Sequence, residues 1–528
     1  MLAAIAIPEQ LATAKLAGMP AQAGLYAFVA GSLAFAAFGV NRYLSAGADS
    51  TIAPIFAGSL AALATSGSAE YTALVGFTAL VAGALLVLAG LLRAGWIADF
   101  LSVPVTVGFL AGIAVHIIVG QVPALLGIGA PDGALPSRLL AIIVRLNQAN
   151  WYAGCVGLLV LGTTLLSERI NPRIPGALLG LAAAGLLTAA GHFQAHGVAM
   201  LGPLATTLPH LGLPAFAGVQ TALRAVPVGV IVALVCMMQT SATVRSFAQP
   251  GAEVEDVSRD FAAVGAGSLC SGLLGSFAVD ASPPRTAVVQ ASGGRSQVAS
   301  LVAVGAIVAL IAFGAGLPAY LPQAALAGIL IFIGIRIFRF GQMRDIARRG
   351  GGEIWLVVAG AVLVVALPIE AGMLLSIGLS LAQGIYVIAR APSGQLLRVP
   401  GTTIWWPSQP DAPGERVPGV LVFAAAAPIT FTNANYLIRR LRTAIAHAPE
   451  PVRLIVLECV GVIYIDYTGS LELQRAIAAF RKTGLEVSIA RLEDPGAQAS
   501  AAQTGLLDAL GPKHSFKSVQ EALTAAGM

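Results

Sequence analysis

The chain has 528 residues, 57% of them hydrophobic and only 10% charged, with a formal net charge of +5. A soluble domain carries about 25% charged residues, so this composition excludes a wholly soluble protein and describes a polytopic membrane protein. The positive charge is too dispersed to suggest a nucleic-acid partner. Cys155, Cys236, Cys270 and Cys459 are too far apart for a disulfide framework or a metal-binding spacing.

In chain order, Met1 opens into LAAIAIPEQLATAKL, which has neither the basic start nor the cleavage site of a signal peptide and reads as a first membrane helix. Apolar stretches of spanning length follow one another up to Arg390. Fourteen segments are predicted, starting near Leu2, Ala21, Ala48, Leu74, Val103, Ala153, Ile174, Ala225, Phe261, Pro284, Gln297, Ala324, Glu353 and Gly372. Residues 1–390 are read as a transmembrane domain, 391–418 as a Pro-rich linker, and 419–528 as a small soluble α/β domain.

Charge tests this count. With a cytoplasmic amino terminus, the even-numbered connections should hold the basic residues. They contain Arg42, Arg93, Arg169, Arg173, Arg245, Arg259, Arg295 and the cluster Arg339, Arg344, Arg348 and Arg349. Lys15, Arg138, Arg145 and Arg224 fall on the other side. An even count also keeps both termini cytoplasmic, as expected for a multi-pass protein of an inner membrane. RFGQMRDIARR reads as a membrane-surface anchor.

Segments three and ten are predicted to be interrupted. In SFAVDASPPRTAVV (Ser276–Val289), Pro283 and Pro284 cannot continue a helix but suit the first turn of a new one, with Ser282 as its cap. SFAVDAS is therefore read as extended backbone, tolerable in a membrane only where protein or a water-filled cavity surrounds it. RYLSAGADSTIAPIFAG (Arg42–Gly58) reads the same way, with Asp49, Ser50 and Thr51 opening another half-helix. Two such breaks, seven segments apart, are the sequence mark of a transporter site built from inverted repeats.

Each half-helix start offers unpaired amides and a partial positive charge. With Arg285 at one of them, the pair suits an anion. An arginine within the membrane costs at least about 2.5–3.5 kcal/mol to insert. A bound anion would offset that cost, as would a permanent pairing with Asp280 or Asp49. The candidate substrate-binding residues are Gln10, Asp49, Ser50, Thr51, Gln239, Thr240, Ser282, Arg285 and Thr286. Glu9, beside the helix-breaking Pro8, is the candidate proton-coupling residue, because desolvation opposes ionisation of a carboxylate. His116 is expected to be a packed core histidine, and His192, His196 and His210 show no metal-ligand pattern.

The stretch Ala4–Pro54, with Pro8, Ala17-Gly18-Met19-Pro20 and Gly24-Leu25-Tyr26, resembles the opening signature of the sulfate permease family of anion transporters. Asp260–Leu301 resembles its second signature, with Arg285 at the start of half-helix ten and the pair Gly293-Gly294. Gly419–Leu441, with Phe431-Thr432-Asn433, and Val452–Ile477, with Asp466-Tyr467-Thr468-Gly469, resemble the family's cytoplasmic STAS domain. The resemblance implies a seven-plus-seven inverted-repeat fold, a core moving against a gate, a homodimer, and a STAS domain making regulatory or assembly contacts. In related soluble proteins a phosphorylatable serine stands where this chain has Tyr467.

Together these readings predict secondary active transport of a small anion by alternating access. They favour proton-coupled symport of a carboxylate or dicarboxylate such as fumarate, with sulfate or bicarbonate as the alternative. A nucleobase carrier of the same fold is disfavoured by Gln239, Arg285 and the tail. A passive anion channel or a signalling scaffold is the alternative of another class. No nucleophile constellation or phosphate loop points to an enzyme, and no cofactor or metal is expected.

Overall fold

The computed structural model describes residues 2–96, 102–129, 135–171, 174–204, 211–215, 218–247, 256–314, 316–350, 352–407, 414–511 and 514–528. Arg173 and His210 lie outside these residues. The chain divides into two compact units, Met1–Ser380 and Leu381–Met528.

The first unit is helical. Its elements are α1 (Leu2–Leu16), α2 (Ala21–Phe38), strand β1 (Ala46–Gly47), α3 (Ala53–Leu60), α4 (Ala69–Leu91), α5 (Val103–Leu126), α6 (Leu135–Val144), α7 (Trp151–Ile170) and α8 (Gly176–Ala190). There follow α9 (Val219–Ser246), α10 (Val257–Leu273), strand β2 (Asp280–Ala281), α11 (Pro283–Ala291), α12 (Val298–Phe313), α13 (Gln323–Ile337), α14 (Phe340–Arg349), α15 (Ile354–Ala366) and α16 (Ile369–Ala389), the last of which runs past Ser380 into the second unit. With the short amphipathic α6 and α14 set aside, these are the fourteen predicted segments in the predicted order. Seven stretches among the described residues are long and apolar enough to cross a membrane unaided.

The helices sort into two packing groups. In one, α10 lies against α2 and α4, and α4 against α9; in the other, α5 packs on α13 and α15, and α7 on α8 and α13. Helix α1 touches both groups, through α2 and α12 on one side and α8 and α13 on the other. Glycine lets backbones meet directly within each group, as expected where lipid supplies no hydrophobic drive between helices. A Cβ on Gly83 of α4 would stand 2.8 Å from the Gly265 carbonyl oxygen of α10, and one on Gly265 would stand 2.8 Å from that of Gly83. One antiparallel turn pair away, a Cβ on Gly272 would lie 2.7 Å from the Gly76 oxygen. Gly157 of α7 and Gly328 of α13 form a comparable crossing.

The second unit is an α/β domain. Strands β3 (Ser393–Arg398), β4 (Trp405–Pro407), β5 (Val420–Ala425), β6 (Leu454–Glu458), β7 (Glu486–Ala490) and β8 (Ser515–Phe516) form one sheet in the order β4-β3-β5-β6-β7-β8. β5 to β8 are parallel, and β3 runs antiparallel to both β4 and β5. The stretch 391–418, predicted to be a linker, therefore supplies two strands of the sheet. Connecting these strands are α17 (Ala434–Ala446), α18 (Tyr467–Lys482), α19 (Pro495–Gln503) and α20 (Leu506–Leu510), and α21 (Val519–Ala525) follows β8.

Asp466 caps α18: one carboxylate oxygen accepts from the Gly469 amide at 2.6 Å, and the other from the Phe431 amide at 2.9 Å. Asn433 accepts from the Thr430 amide and donates to the Pro428 carbonyl, which fixes the preceding turn. The two motifs that carry the STAS resemblance thus lock one loop to one helix start. Tyr467 stands beside them, exposed.

Two outcomes follow from this packing. Gly265→Val should push α10 off α4 and cost about 1–3 kcal/mol by overpacking, whereas Gly305→Ala on α12, where a Cβ meets open space, should be neutral or better. Folded yield and thermal unfolding in detergent would show the contrast. In the second unit, burial holds the Glu458 carboxyl above the usual glutamate range against the opposing charge of Arg491. The folded chain keeps this proton at pH values where the unfolded chain has lost it, so stability declines as pH rises through that range and levels off above it. Glu458→Gln should remove that slope, read from protection of the β6 amides against hydrogen exchange.

Candidate functional site

The two interrupted segments meet in the interior of the first unit. β1 and β2 pair antiparallel, with Ala46 opposite Ala281 and Gly47 opposite Asp280. The Ser282 amide extends the pairing by donating to the Ser45 carbonyl at 3.0 Å. From this pair α3 and α11 depart, so that two half-helix amino ends lie beside a strip of extended backbone.

Unwound backbone away from water needs a partner for every amide and carbonyl. Small polar side chains on the surrounding helices supply many of these. Ser32 of α2 donates to the Ala46 carbonyl at 3.1 Å, Ser268 of α10 both donates to and accepts from Val279, and Ser271 donates to the Phe277 carbonyl at 2.7 Å. On the other break, Asn41 accepts from the Tyr43 and Leu44 amides, and Gln297 donates to the Asn41 and Leu44 carbonyls. Asp260 accepts from the Val40 and Asn41 amides. Sequence reasoning overlooked these residues. The signal available was the break itself, which demands partners from polar residues in neighbouring apolar segments.

Arg285 occupies the first turn of α11 and is fully buried. Its Nη1 donates to Glu9 Oε1 at 2.8 Å and to the Ala48 carbonyl at 2.9 Å, and its guanidinium carbon lies 5.9 Å from the centre of the Phe28 ring. The sequence left Arg285 either an anion or, as the alternative, a permanent pairing with Asp280 or Asp49; its acidic partner is instead Glu9, from α1. The attraction between the two groups offsets part of the cost of burying each charge. The expectation of Glu9 as an unpaired carboxylate changes with it. The Nε and Nη2 atoms of Arg285 have no hydrogen-bond partner among the described residues.

The remaining predicted residues gather around the same strip. Gln10 grips the Ala48 peptide from both sides, donating to its carbonyl and accepting from its amide, each at 2.9 Å. Asp49 closes the turn before α3 by accepting from the Thr51 amide and hydroxyl; the helix itself begins after Ile52, without a side-chain cap. Ser50 is buried beside them. Gln239 donates to the Ala281 carbonyl at 3.1 Å, and the Thr240 hydroxyl donates to Asp280 at 3.3 Å. Thr286 accepts from the Ser45 amide at 3.1 Å. Ser282 precedes α11 as foreseen, but its hydroxyl makes no capping bond and, like that of Ser45, has no partner among the described residues.

Elsewhere, His116 meets the Gly112 carbonyl of its own helix at 3.2 Å, and His196 stacks on Tyr152. No cluster among the described residues could hold a metal ion.

A helical unit of membrane-spanning length in which two half-helices start from one strip of extended backbone beside a buried arginine, followed by an α/β domain, defines a class of polytopic membrane protein. Residues 1–360 match the model of the sulfate permease family and residues 412–522 that of the STAS domain; the chain belongs to the sulfate permease family. It is 30% identical over 524 residues to a probable sulfate transporter of Mycobacterium tuberculosis, covering 99% of this chain and 93% of that one. It is 25% identical over 491 residues to probable sulfate transporter 3.3 of Arabidopsis thaliana, covering 89% and 78%. Among solved structures, the murine solute carrier 26 family member A9 anion transporter, in its inward-facing state, superposes with a TM-score of 0.89 at 18% identity, covering 100% of this chain and 90% of that chain. The transmembrane domain of a cyanobacterial bicarbonate transporter superposes with a TM-score of 0.63 at 22% identity, covering 70% of this chain and 94% of that chain.

The clamp by Gln10 gives a direct test of the site's construction. Gln10→Leu leaves the Ala48 amide without its side-chain acceptor and weakens the hold on its carbonyl, and should cost about 1–3 kcal/mol. Thermal unfolding in detergent should show the loss, and Gln10→Glu should recover only the half that accepts from the amide.

Proposed function

We propose that this chain is a secondary active transporter of small oxyanions, working by alternating access, with its substrate site at the crossing of the two half-helices. The observation that carries this reading is Arg285, buried at a half-helix amino end with Nε and Nη2 uncommitted. A cation fixed there, with the Ser282 hydroxyl just before it in the chain, the Ser45 hydroxyl on the strand paired with Ser282, and the helix amino ends adding positive potential, offers an oxyanion charge and directed donors together.

The kind of anion follows from two supports. The relatives that match over almost the full chain are named as sulfate transporters. The expectation of a dicarboxylate such as fumarate rested on Glu9 as a free proton carrier, and Glu9 is bound to Arg285. A compact oxyanion of the sulfate class is therefore the favoured substrate. Glu9 neutralises the guanidinium in the structure described, and an arriving anion competes with it for the same charge.

The fold supports the transport cycle in outline. The two breaks lie seven segments apart, and the amphipathic helices α6 and α14 follow the fifth and twelfth segments, which is the pattern of a seven-plus-seven repeat. The two glycine-locked packing groups are suited to move as bodies, with α1 between them. The arginine distribution supports cytoplasmic termini.

Uptake of labelled sulfate into sealed proteoliposomes tests this. Concentration of sulfate against its gradient separates a carrier from a channel. Arg285→Gln should cut sulfate binding by more than tenfold, since truncating one member of a buried charge pair costs about 2–5 kcal/mol. Arg285→Lys should recover part of it. Unaltered uptake in Arg285→Gln would sink the assignment, and fumarate, bicarbonate and sulfate in competition would rank the substrates.

A further inference from the structure

Asp280 is the acid of this site that nothing above employs. It lies on β2, opposite Gly47, and is fully buried. Its Oδ1 accepts from the Thr240 hydroxyl at 3.3 Å and from the Ala281 amide at 2.7 Å. Its Oδ2 has no hydrogen-bond partner among the described residues, and no described basic group lies within ion-pair distance of the carboxyl.

The surroundings decide what such a group can do. The elements packed on β2 are β1, α9 and α10. From the β1 side comes Asp49, a second acid whose Oδ1 is taken by Thr51. From α9 come the Cys236 thiol and the Thr240 hydroxyl, and from α10 the Ser268 hydroxyl, which is spent on Val279. The acid of α10, Asp260, is turned to the Val40 and Asn41 amides. Of the cations, Arg285 on α11 bears on Asp280 and is bonded to Glu9, while Arg336 and Arg339 bear on Glu9 and Asp49 from farther off. Asp280 is therefore left without a cation of its own.

A buried carboxylate without a cation is relieved either by a metal cation or by a proton. A sodium ion needs several oxygen ligands, and the backbone carbonyls around Asp280 each already accept a hydrogen bond, which leaves the Ser45 and Ser282 hydroxyls as the other unengaged oxygens of the strip among the described residues. The Val279 carbonyl accepts from Ser268 and Cys236, that of Ala281 from Gln239, that of Ala46 from Ser32, and that of Ala48 from Gln10 and Arg285. A proton needs one oxygen, and Oδ2 is one.

We propose that Asp280, rather than Glu9, is the proton-carrying residue, and that its protonation couples anion transport to the proton gradient. This rests on the transport reading above. The step is a proton transfer alone: an O–H bond of hydronium breaks on one side as the Asp280 Oδ2–H bond forms, and the reverse occurs on the other side. With Oδ2 protonated, one negative charge leaves the pocket and a hydrogen-bond donor appears beside the anion's path. With it ionised, the pocket repels the anion. Proton and anion therefore travel together.

The test uses the full chain in proteoliposomes at zero membrane voltage, with labelled sulfate as probe and a pH dye inside. Wild type should take up protons with sulfate and accumulate it by up to about tenfold per pH unit for each coupled proton. A sodium gradient of equal size should give no accumulation. Asp280→Asn should lose accumulation and proton uptake while still exchanging sulfate for sulfate, and Asp280→Glu should retain both. Should Asp280→Asn not assemble, Thr240→Val, which removes the hydroxyl bond to Oδ1, should move the pH midpoint of proton uptake; an unmoved midpoint overturns the proposal. So does proton uptake by Asp280→Asn, accumulation that follows sodium, or loss of proton uptake in Glu9→Gln while sulfate exchange continues and Asp280 is intact. Sulfate exchange by wild type without proton movement overturns this proposal and spares the transport reading. No anion movement at all overturns both.

Discussion

The site depends on a few backbone hydrogen bonds between two pieces of chain more than two hundred residues apart. Ser45 to Gly47 and Asp280 to Ser282 are extended where the neighbouring segments are helical, and they satisfy each other across a two-stranded ladder. In an apolar setting this pairing decides whether the breaks exist at all, since unpartnered peptide groups there cost several kcal/mol each. Once it forms, the starts of α3 and α11 are fixed relative to each other, and Arg285 is held between them.

Around the ladder, the helices act as a scaffold of hydroxyls and glycines. Gly31 of α2 lies so close that a Cβ would stand 3.2 Å from the Ala46 carbonyl, and a Cβ on Gly267 of α10 would stand 2.9 Å from the Gly31 Cα. Ser32 and Ser268 are the next residues along those helices, and each bonds to the ladder or its flank. A small residue lets the helix approach, and the serine beside it uses the closeness. The same sequence feature thus serves packing and polar accounting together.

Much of this was legible in the sequence. Pro283-Pro284 after Ser282 marked the start of α11, and the matching break near Gly47 followed from the same local chemistry. Segment lengths placed all fourteen helices. What escaped was set by contacts distant in sequence. The Glu9–Arg285 pair spans 276 residues, and no local property distinguishes Glu9 from Asp49 or Asp280 as the partner. β3 and β4 escaped for a similar reason. Their sequence, SGQLLRVPGTTIWWP, is rich in turn residues and short in alternation, and β3 becomes a strand by pairing with β5. Ser282 shows the opposite case: the local signal placed the helix start correctly, yet the hydroxyl makes no capping bond; Pro284 removes one of the two amides a cap can use, and that of Arg285 is not taken up.

The geometry of Arg285 explains why one residue can report to several parts of the unit. Its backbone belongs to α11, its Nη1 holds the Ala48 carbonyl at the entry to α3, and the same nitrogen holds Glu9 of α1. Gln10, next to Glu9, holds the Ala48 peptide as well. On the proposed function, an anion that takes the guanidinium from Glu9 changes the hold of α1 on both half-helices in one event. Because α1 packs on both glycine-locked groups, that event bears on the contact between them. A ligand able to shift the balance of two arrangements needs a differential interaction with each, and the exchange of Glu9 for a substrate oxygen at Arg285 is an interaction of that kind.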